Sequence, residues 1–363
     1  MACATLAAIF RLPLIGRQSG ENVSEPAAAL YERSLILDGN CLPPFTRNLP
    51  YSQSALDMVR NCGVNVIKMT FGGIKSNFAD TIREIGFAQR MLELHQQYFT
   101  QVRLPADIER AKSEGKLGII FSFESTDMLE GGTEKIQLFR NLGVRVMQFS
   151  YNRTSAFGAG VLEPDGGGLT PLGKEAATKM NALGVTIDLS HANAQTTVDA
   201  ISISTEPVII SHAGCDAIHS HPRNKTDEQI RAVADKGGVT GIYDLCYLAA
   251  SPKQPDVDDY MAHMEHALKI AGEDHVGVGS DALISPIDTS LEAMARFREN
   301  QEEREKSGLA APEEDRLNYV SGLNTPRRIE VIADQLLKRG YSSRLTEKVI
   351  GANFVRAFSE TWV

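Results

Sequence analysis

The stretches VTIDLSH (residues 185–191) and VIISH (residues 208–212) carry the most information about the fold of this chain. Each stretch is short, rich in Val and Ile, apolar almost throughout, and ends in a histidine. A continuous apolar run of this length is typical of a strand that is covered on both faces of a parallel sheet. Both stretches therefore predict buried parallel strands.

The same pattern occurs eight times along the chain. The predicted strands are residues 35–40, 64–71, 118–124, 144–151, 185–191, 208–212, 238–245 and 275–281. Amphipathic segments with helical spacing lie between them, at 88–98, 136–142, 173–183, 226–236 and 257–271. Eight such units predict an α/β protein with a (β/α)8 TIM-type barrel rather than an open doubly wound sheet. Two later patterns, 329–338 and 345–359, predict extra C-terminal helices, whereas 292–316 is interpreted only as a polar stretch.

Composition and charge limit the classes of function. The chain has 363 residues, of which 42% are hydrophobic and 23% charged, as in ordinary globular proteins. A net charge of -9 with scattered basic residues argues against binding to nucleic acid or to an anionic membrane. The five cysteines form neither a disulfide framework nor a cysteine-based zinc site. Because no apolar run could span a bilayer, we expect a soluble protein, in the cytoplasm or the periplasm.

We divide the chain into an N-terminal arm or leader remnant, residues 1–25, and a single barrel domain, residues 26–363, that includes the C-terminal helices. The first residues are apolar like the centre of a signal peptide, but Arg11 interrupts them and no basic region precedes them. No linker rich in Pro, Gly or Ser divides the remainder of the chain.

Polar side chains that can bind a metal or move a proton stand where several predicted strands end. They are Glu124, His191, His212 and Asp281. The carboxyl ends of barrel strands converge on the face where active sites of this fold are built. Two imidazoles with carboxylates suit zinc better than iron, manganese or cobalt. We therefore expect a metal site that activates water, with Asp281 as a ligand, as the base, or as both.

A polar loop follows the sixth predicted strand. Arg223 is its candidate for holding a substrate carboxylate through paired hydrogen bonds. We interpret His219, His221 and Lys225 as solvated loop residues, without a role in the site.

Several motifs resemble the membrane (renal) dipeptidase family of zinc metallopeptidases, from about residue 35 to residue 362. They are GLTPLG (168–173), MNALG (180–184), DLSH (188–191), PVIISH (207–212), HPRN (221–224), VGVGSD (276–281) and GANF (351–354). The resemblance implies a barrel like those of metal-dependent hydrolases, and the hydrolysis of dipeptides, often with a D-residue at the C-terminal position. It also implies that Glu124 bridges two zinc ions and that His191 and His212 complete the second site. Asp281 then belongs to the first site, and Arg223 holds the substrate carboxylate.

The sequence departs from this family at the first metal site. The family motif Asp-Gly-His-x-Asp is replaced by Asp-Gly-Asn-Cys-Leu, so Asn40 and Leu42 stand where two ligands are expected. The amide of Asn40 and the thiol of Cys41 are weak replacements. Tyr151 stands where a histidine that contacts substrate is expected. We therefore expect one zinc ion, held by Glu124, His191 and His212 with Asp281 nearby, and keep two ions as the alternative.

These observations favour a metal-dependent hydrolase of dipeptides or of a related small amide. The expected catalytic residues are Asp281, Glu124 and Tyr151, and the expected substrate-binding residues are Arg223, Asn152, Asn224 and Tyr243. One alternative is a biosynthetic tailoring enzyme that uses a one-metal pocket for non-hydrolytic chemistry. The other is a non-catalytic, dipeptidase-like binding protein. The expected partner is a small dipeptide-like substrate and not nucleic acid, and a homodimer is left open.

Overall fold

Short strands alternate with longer helices in the computed structural model, which describes residues 23–43, 49–73, 75–308 and 310–362. The strands are β1 (Leu37–Asp38), β2 (Cys41–Leu42), β3 (Val66–Thr70), β4 (Phe99–Gln101), β5 (Leu117–Phe123), β6 (Val144–Met147), β7 (Thr186–Ile187), β8 (Ile209–Ala213), β9 (Val239–Ile242), β10 (Val276–Val278) and β11 (Ala282–Leu283). The helices are α1 (Glu25–Arg33), α2 (Gln53–Asn61), α3 (Phe78–Leu94), α4 (Pro105–Ser113), α5 (Glu134–Asn141), α6 (Pro171–Ala182), α7 (Ala194–Ile203), α8 (Asp227–Asp235), α9 (Val257–Ala271), α10 (Leu291–Lys306), α11 (Arg328–Lys338), α12 (Ser343–Glu347) and α13 (Asn353–Thr361). Two 3-10 turns (Asp127–Leu129 and Cys246–Leu248) and a π-helical turn (Lys348–Ala352) complete the set.

Eight parallel strands form the barrel, as the sequence predicts. One sheet has the order β1-β3-β5-β6-β7 and another has the order β10-β9-β8. Leu189 N donates to Ile209 O at 2.8 Å and joins β7 to β8, and Gly39 N donates to Val278 O at 2.8 Å and joins β1 to β10. Both sheet edges are therefore paired, and the predicted (β/α)8 fold is confirmed. The remaining strands are additions to it: β4 pairs with the start of β5, and β2 pairs with β11.

The amino end of the barrel is filled by the C-terminal helix α13. Phe354 and Phe358 belong to one buried cluster with residues at the start of four strands, Leu37, Val66, Ile209 and Val239. A Cβ atom added at Gly39 or Gly277 would lie 2.6 Å from the Phe354 ring, so glycine is required where the ring inserts. Because this end is packed with apolar side chains, only the carboxyl end is left for a polar site.

Local sequence signals define several of the helices that cover the barrel. The Thr226 hydroxyl accepts from Gln229 N at 3.3 Å and the Gln229 side chain accepts from Thr226 N at 3.0 Å, which is a reciprocal capping box at the start of α8. At the start of α7 the Asn193 side chain accepts from Thr196 N, which is a simple N-cap without the reciprocal bond. These caps fix where the chain leaves the carboxyl face and enters each helix.

The structure differs from the sequence-based prediction in two ways. The barrel strands are shorter than the predicted apolar runs, because several runs continue into the loops that carry the site. The helices α1, α2, α4 and α7 were not predicted, and α10 occupies the segment that we interpreted as a polar stretch. The only buried residue of α10 in the described structure is Gln301, so the helix has no apolar stripe from which periodicity could identify it.

The arm or leader predicted for residues 1–25 lies, up to residue 22, outside the described residues. Among the helices of the described part of the chain, none combines the length and the apolar character that crossing a membrane requires.

Candidate active site

The four predicted metal-binding side chains stand at the carboxyl ends of barrel strands. Glu124 follows β5, His191 follows β7, His212 is in β8, and Asp281 lies between β10 and β11. One ligand atom each from Glu124, His212 and Asp281 lies within 4.8 Å of the other two. The Nε2 atom of His191 is 3.1 Å from the Nε2 atom of His212. The fold therefore brings all four side chains to one place.

The hydrogen bonds of the two histidines define which ring nitrogen carries the proton. His191 Nδ1 donates to Asn152 Oδ1 at 2.8 Å. The Ser211 hydroxyl gives its proton to Asp188 at 2.6 Å, so it accepts from His212 Nδ1 at 2.8 Å. Burial lowers the pKa of both imidazoles well below the usual value, and both rings are neutral at pH 7. Two Nε2 lone pairs therefore face each other, which is the donor arrangement that a divalent cation requires.

A buried polar network below the histidines maintains this arrangement. Asp188 accepts from the hydroxyls of Ser190 and Ser211, both at 2.6 Å, and lies 3.5 Å from Lys68 Nζ. Burial alone would raise the pKa of Asp188, but Lys68 and the two hydroxyls outweigh it and lower the pKa. Asp188 stays ionised and fixes the direction in which Ser211 donates. Sequence analysis missed Lys68 and Asp188, although a lysine within an apolar strand was a usable signal.

Asn40 lies between the two carboxylates. Its Nδ2 atom donates to Glu124 Oε1 at 2.8 Å and to Asp281 Oδ1 at 2.7 Å. The side chain therefore acts as a hydrogen-bond donor, and not as the weak oxygen ligand considered from the sequence. Cys41 is buried, its Sγ lies 3.7 Å from Leu42 O, and burial raises the pKa of its thiol well above the usual value. A thiol that resists ionisation is a poor metal ligand.

Asp281 has two unusual properties. Burial, together with the nearby Glu124 carboxylate, raises its pKa to about 8 in the protein without a metal. Its φ angle of 54° is in the left-handed region, which non-glycine residues seldom adopt. Such conformations occur preferentially at functional sites, where the surrounding structure stabilises them.

A cavity of about 300 Å³ opens beside these residues. Its barrel side is lined by Tyr151, Asn152, His191, Arg223, Leu245, Tyr247 and Asp281, and its other side by α10 and the segment after it. A neighbouring cavity of about 370 Å³ also contacts Tyr151. The Tyr151 ring stacks on the His191 ring at a centroid distance of 4.0 Å. Burial and the acidic groups raise the pKa of Tyr151 to about 12, so it carries its phenolic proton at neutral pH.

Arg223 presents a guanidinium group to the first cavity. The side chain is buried, and Nη1 donates to Ser190 O at 2.6 Å. Its Nη2 atom is buried and has no hydrogen-bond partner among the described residues. A buried cationic donor without a partner is costly, so this atom is suited to an anionic ligand.

Other predicted side chains occupy different positions from those expected. Asn224 Oδ1 accepts from the Tyr243 hydroxyl at 2.5 Å, and Asn224 Nδ2 donates to two backbone carbonyls. Both side chains are buried and neither lines the cavity, and their direct contact with substrate stays a prediction. His221 and Lys225 are not solvated: His221 stacks on Tyr247 at 4.3 Å, and Lys225 Nζ donates to Ala192 O at 2.7 Å. The loop folds inward because these groups find partners inside the protein.

Comparison with known proteins identifies the family. Residues 28–300 match the family model described as Membrane dipeptidase (Peptidase family M19). An uncharacterized protein in the pqqA 5' region of Klebsiella pneumoniae is 30% identical over 71% of this chain and 87% of its own length. The dipeptidase tcpJ of Claviceps purpurea is 25% identical over 78% of this chain, which spans 60% of that protein.

Solved structures agree with this result. An amidohydrolase from Pseudomonas aeruginosa has a TM-score of 0.80 and 27% identity, covering 93% of this chain and 99% of its own. A metallo peptidase from Rhodobacter sphaeroides, solved with a phosphinate mimic of L-Ala-D-Ala, has a TM-score of 0.74 and 18% identity, covering 91% and 100%. At that identity the second comparison shows the fold alone. The barrel, the side chains at its carboxyl end that could hold a metal and the family match agree that this chain belongs to the membrane dipeptidase family of metallopeptidases.

Proposed function

We propose that this protein, a metal-dependent dipeptidase by family, uses a single zinc ion held by Glu124, His191 and His212. The observation that carries the proposal is the pair of Nε2 lone pairs facing each other at 3.1 Å, with both Nδ1 protons held by other groups. Neutral imidazole and carboxylate form a typical zinc donor set. The alternatives of a tailoring enzyme and of a binding protein have no comparable support.

Asn40 supports one ion rather than two. Its amide donates to Glu124 and Asp281, which the first metal of the family would otherwise hold together. The amide thus satisfies both carboxylates without a cation. Glu124, His212 and Asp281 are the alternative three-ligand set, since their ligand atoms are mutually close. We favour the set with His191, because both imidazoles then direct an Nε2 lone pair at the ion while other groups hold their Nδ1 protons.

When bound, the metal supplies an activated water and polarises the scissile carbonyl. The proposed role of Asp281 is to accept and donate protons during the hydrolysis. An oxygen of this carboxyl lies within 4.8 Å of ligand atoms of Glu124 and His212, so it is placed to accept a proton from the attacking water and later to pass it to the leaving amine. Its place beside Glu124 keeps it within the same cluster of ligand atoms.

Tyr151 is the proposed donor to the oxyanion. The phenol keeps its proton at neutral pH, and the ring is held by stacking on His191. A neutral donor placed where negative charge develops stabilises the transition state more than the ground state. Asn152 holds the Nδ1 proton of His191, so we assign it to the orientation of that ligand as well as to the cavity wall.

Arg223 is the proposed anchor for the C-terminal carboxylate of the substrate. Nη1 is held by Ser190 O, and this fixes the guanidinium so that the unpartnered Nη2 faces the ligand. Because the anchor and Tyr151 line the same cavity, the C-terminal residue of the substrate occupies that cavity.

The test combines metal content with activity. Elemental analysis of the purified protein is expected to give one zinc per chain, and the zinc protein is expected to cleave members of an L,L and L,D dipeptide panel. His212→Gln should lose both properties. His275→Gln is the matched control, because His275 bonds the Gly238 carbonyl instead of facing the site. Two zinc ions at full occupancy would contradict the one-metal proposal, and a zinc-loaded protein that cleaves no dipeptide would contradict the hydrolysis.

Three further expectations from the sequence stay proposals. A homodimer predicts a light-scattering mass of twice the 39.6 kDa chain. A single domain over residues 26–363 predicts one cooperative unfolding transition. Cell fractionation would test the expected cytoplasmic or periplasmic location.

A further inference from the structure

The outer wall of the first cavity is built by a polar helix. Of the residues of α10, Gln301 is the only buried one in the described structure, at 8% exposure, and it lines the cavity. Leu291 and Met294 of the same helix are exposed, at 84% and 37%. A helix packed for stability would bury its apolar residues instead. Phe297 of this helix also lines the cavity and is half-buried; beside it the helix presents the Gln301 amide, and that placement points to a ligand.

Three carboxamides line this wall: Asn300 and Gln301 from α10, and Asn318 from the segment after it. The Asn318 carbonyl oxygen accepts from the Cys246 thiol at 3.0 Å, which leaves its NH2 group for the cavity. Asn300 and Gln301 make no side-chain hydrogen bond to any residue within the described ranges. The wall therefore carries both donors and acceptors that a ligand can satisfy.

The two charged side chains on this wall, Arg304 and Glu314, form an ion pair with each other. Arg304 Nε and Nη2 donate to the two oxygens of Glu314 at 2.6 and 3.2 Å, and Glu314 also accepts from Ala311 N at 2.9 Å. This bidentate pair fastens α10 to the following segment and neutralises both groups. A charged group of the ligand would lose its hydration at this wall without gaining a counterion, which costs free energy. An uncharged polar group would pay a much smaller desolvation cost.

The wall also lies largely beyond the part of the chain that defines the family. The family match ends at residue 300, and Gln301, Arg304, Glu314 and Asn318 follow it. The residues that bind metal and carboxylate all precede that point. The candidate metal-binding and carboxylate-binding residues therefore lie within the family match, and most of this wall lies outside it.

We infer that the carboxamide wall selects dipeptides whose C-terminal residue has an uncharged polar side chain, a carboxamide or a hydroxyl, over those with an aliphatic one. The inference rests on the proposed function, because Arg223 places the C-terminal residue in this cavity. An aliphatic side chain would cover the amides and leave them without partners. The difference amounts to roughly 10- to 100-fold in kcat/KM.

The experiment compares Ala-Asn with Ala-Leu, and Ala-Gln with Ala-Met, pairs of similar volume, with the second residue in the L and in the D form. The zinc protein is expected to prefer the amide member of each pair. Gln301→Leu and Asn318→Leu should shrink this ratio, mainly through KM, while zinc content stays the same. Gln137→Leu is the matched control, because Gln137 is exposed on α5 and is not part of the cavity lining.

Calorimetry with the same dipeptides separates the two proposals. Hydrolysis with equal rates within each pair, or a preference for Leu and Met, would overturn the inference and leave the dipeptidase function standing. Preferential binding of the amide members without hydrolysis would support the wall and contradict the hydrolysis. Neither binding nor hydrolysis of any member would overturn both.

Discussion

Replacing Asn40 by leucine removes the amide that joins the two carboxylates while nearly conserving volume. Two hydrogen bonds are lost, at 2.8 Å to Glu124 and at 2.7 Å to Asp281, and the site is buried with Asn40 at 4% exposure. A hydrogen bond to a charged group contributes roughly 1.5 to 3 kcal/mol. The metal-free variant should therefore lose about 3 to 6 kcal/mol of unfolding free energy at a pH above the pKa of Asp281.

The loss should depend on pH in a defined direction. Asp281 has a pKa of about 8, and the Asn40 hydrogen bond is one of the contacts that lower it. Without that bond Asp281 retains its proton to a higher pH, so the folded variant binds more protons than the folded wild-type protein. Its stability therefore falls faster as the pH rises, and the difference should be larger at pH 9 than at pH 6.

Urea unfolding of both metal-free proteins at pH 6 and pH 9 measures this difference. Asn353→Leu is the matched control, since Asn353 Nδ2 donates twice at 2.8 Å to backbone carbonyls, of Glu273 and Val276, which do not titrate. Its loss of stability should be the same at both pH values. A loss below about 1 kcal/mol for Asn40→Leu, or a loss independent of pH, would refute the proposed role of the amide.

Three other predictions follow from the same contacts. Burial lowers the pKa of His221 and of His263 to about 4, so the unfolded chain binds more protons between about pH 6.5 and pH 4. The metal-free protein should lose stability across that interval as pH falls, and His263→Gln should lessen the loss in urea titrations; an unchanged slope would exclude His263 as a contributor. Arg223→Lys should raise KM for dipeptides by roughly 30-fold or more with a smaller change in kcat, because the unpartnered Nη2 is lost; an unchanged KM would remove Arg223 from substrate binding. Asn40→His combined with Leu42→Asp should raise the zinc content from one ion towards two by elemental analysis, and a content that stays at one would show that other residues limit the first site.

The positions of the candidate metal ligands could be predicted because these residues follow strands that the sequence marks clearly. Glu124, His191 and His212 each terminate a buried apolar run, and the ends of parallel strands meet at one face of a barrel. The helix α10 could not be predicted in this way. Three of its residues that line the cavity, Asn300, Gln301 and Arg304, are polar, and a helix without an apolar stripe has no periodic signal.

The sequence by itself determined the eight-stranded barrel, the family, and the side chains that gather at its carboxyl end. Strand and helix periodicity and the residue types at strand ends are local properties, so they can be recognised in the amino-acid sequence without the tertiary structure. Only the tertiary structure decided which groups pair. The Asn40 amide donates to Asp281, a residue far from it in the sequence. Hydrogen bonds to Asn152 and Ser211 decide which nitrogen of His191 and of His212 carries the proton. Asn224 and Tyr243 hydrogen-bond to each other away from the cavity. A hydrogen bond between residues distant in sequence forms only within a narrow range of donor–acceptor distances, and packing of the whole barrel sets those distances.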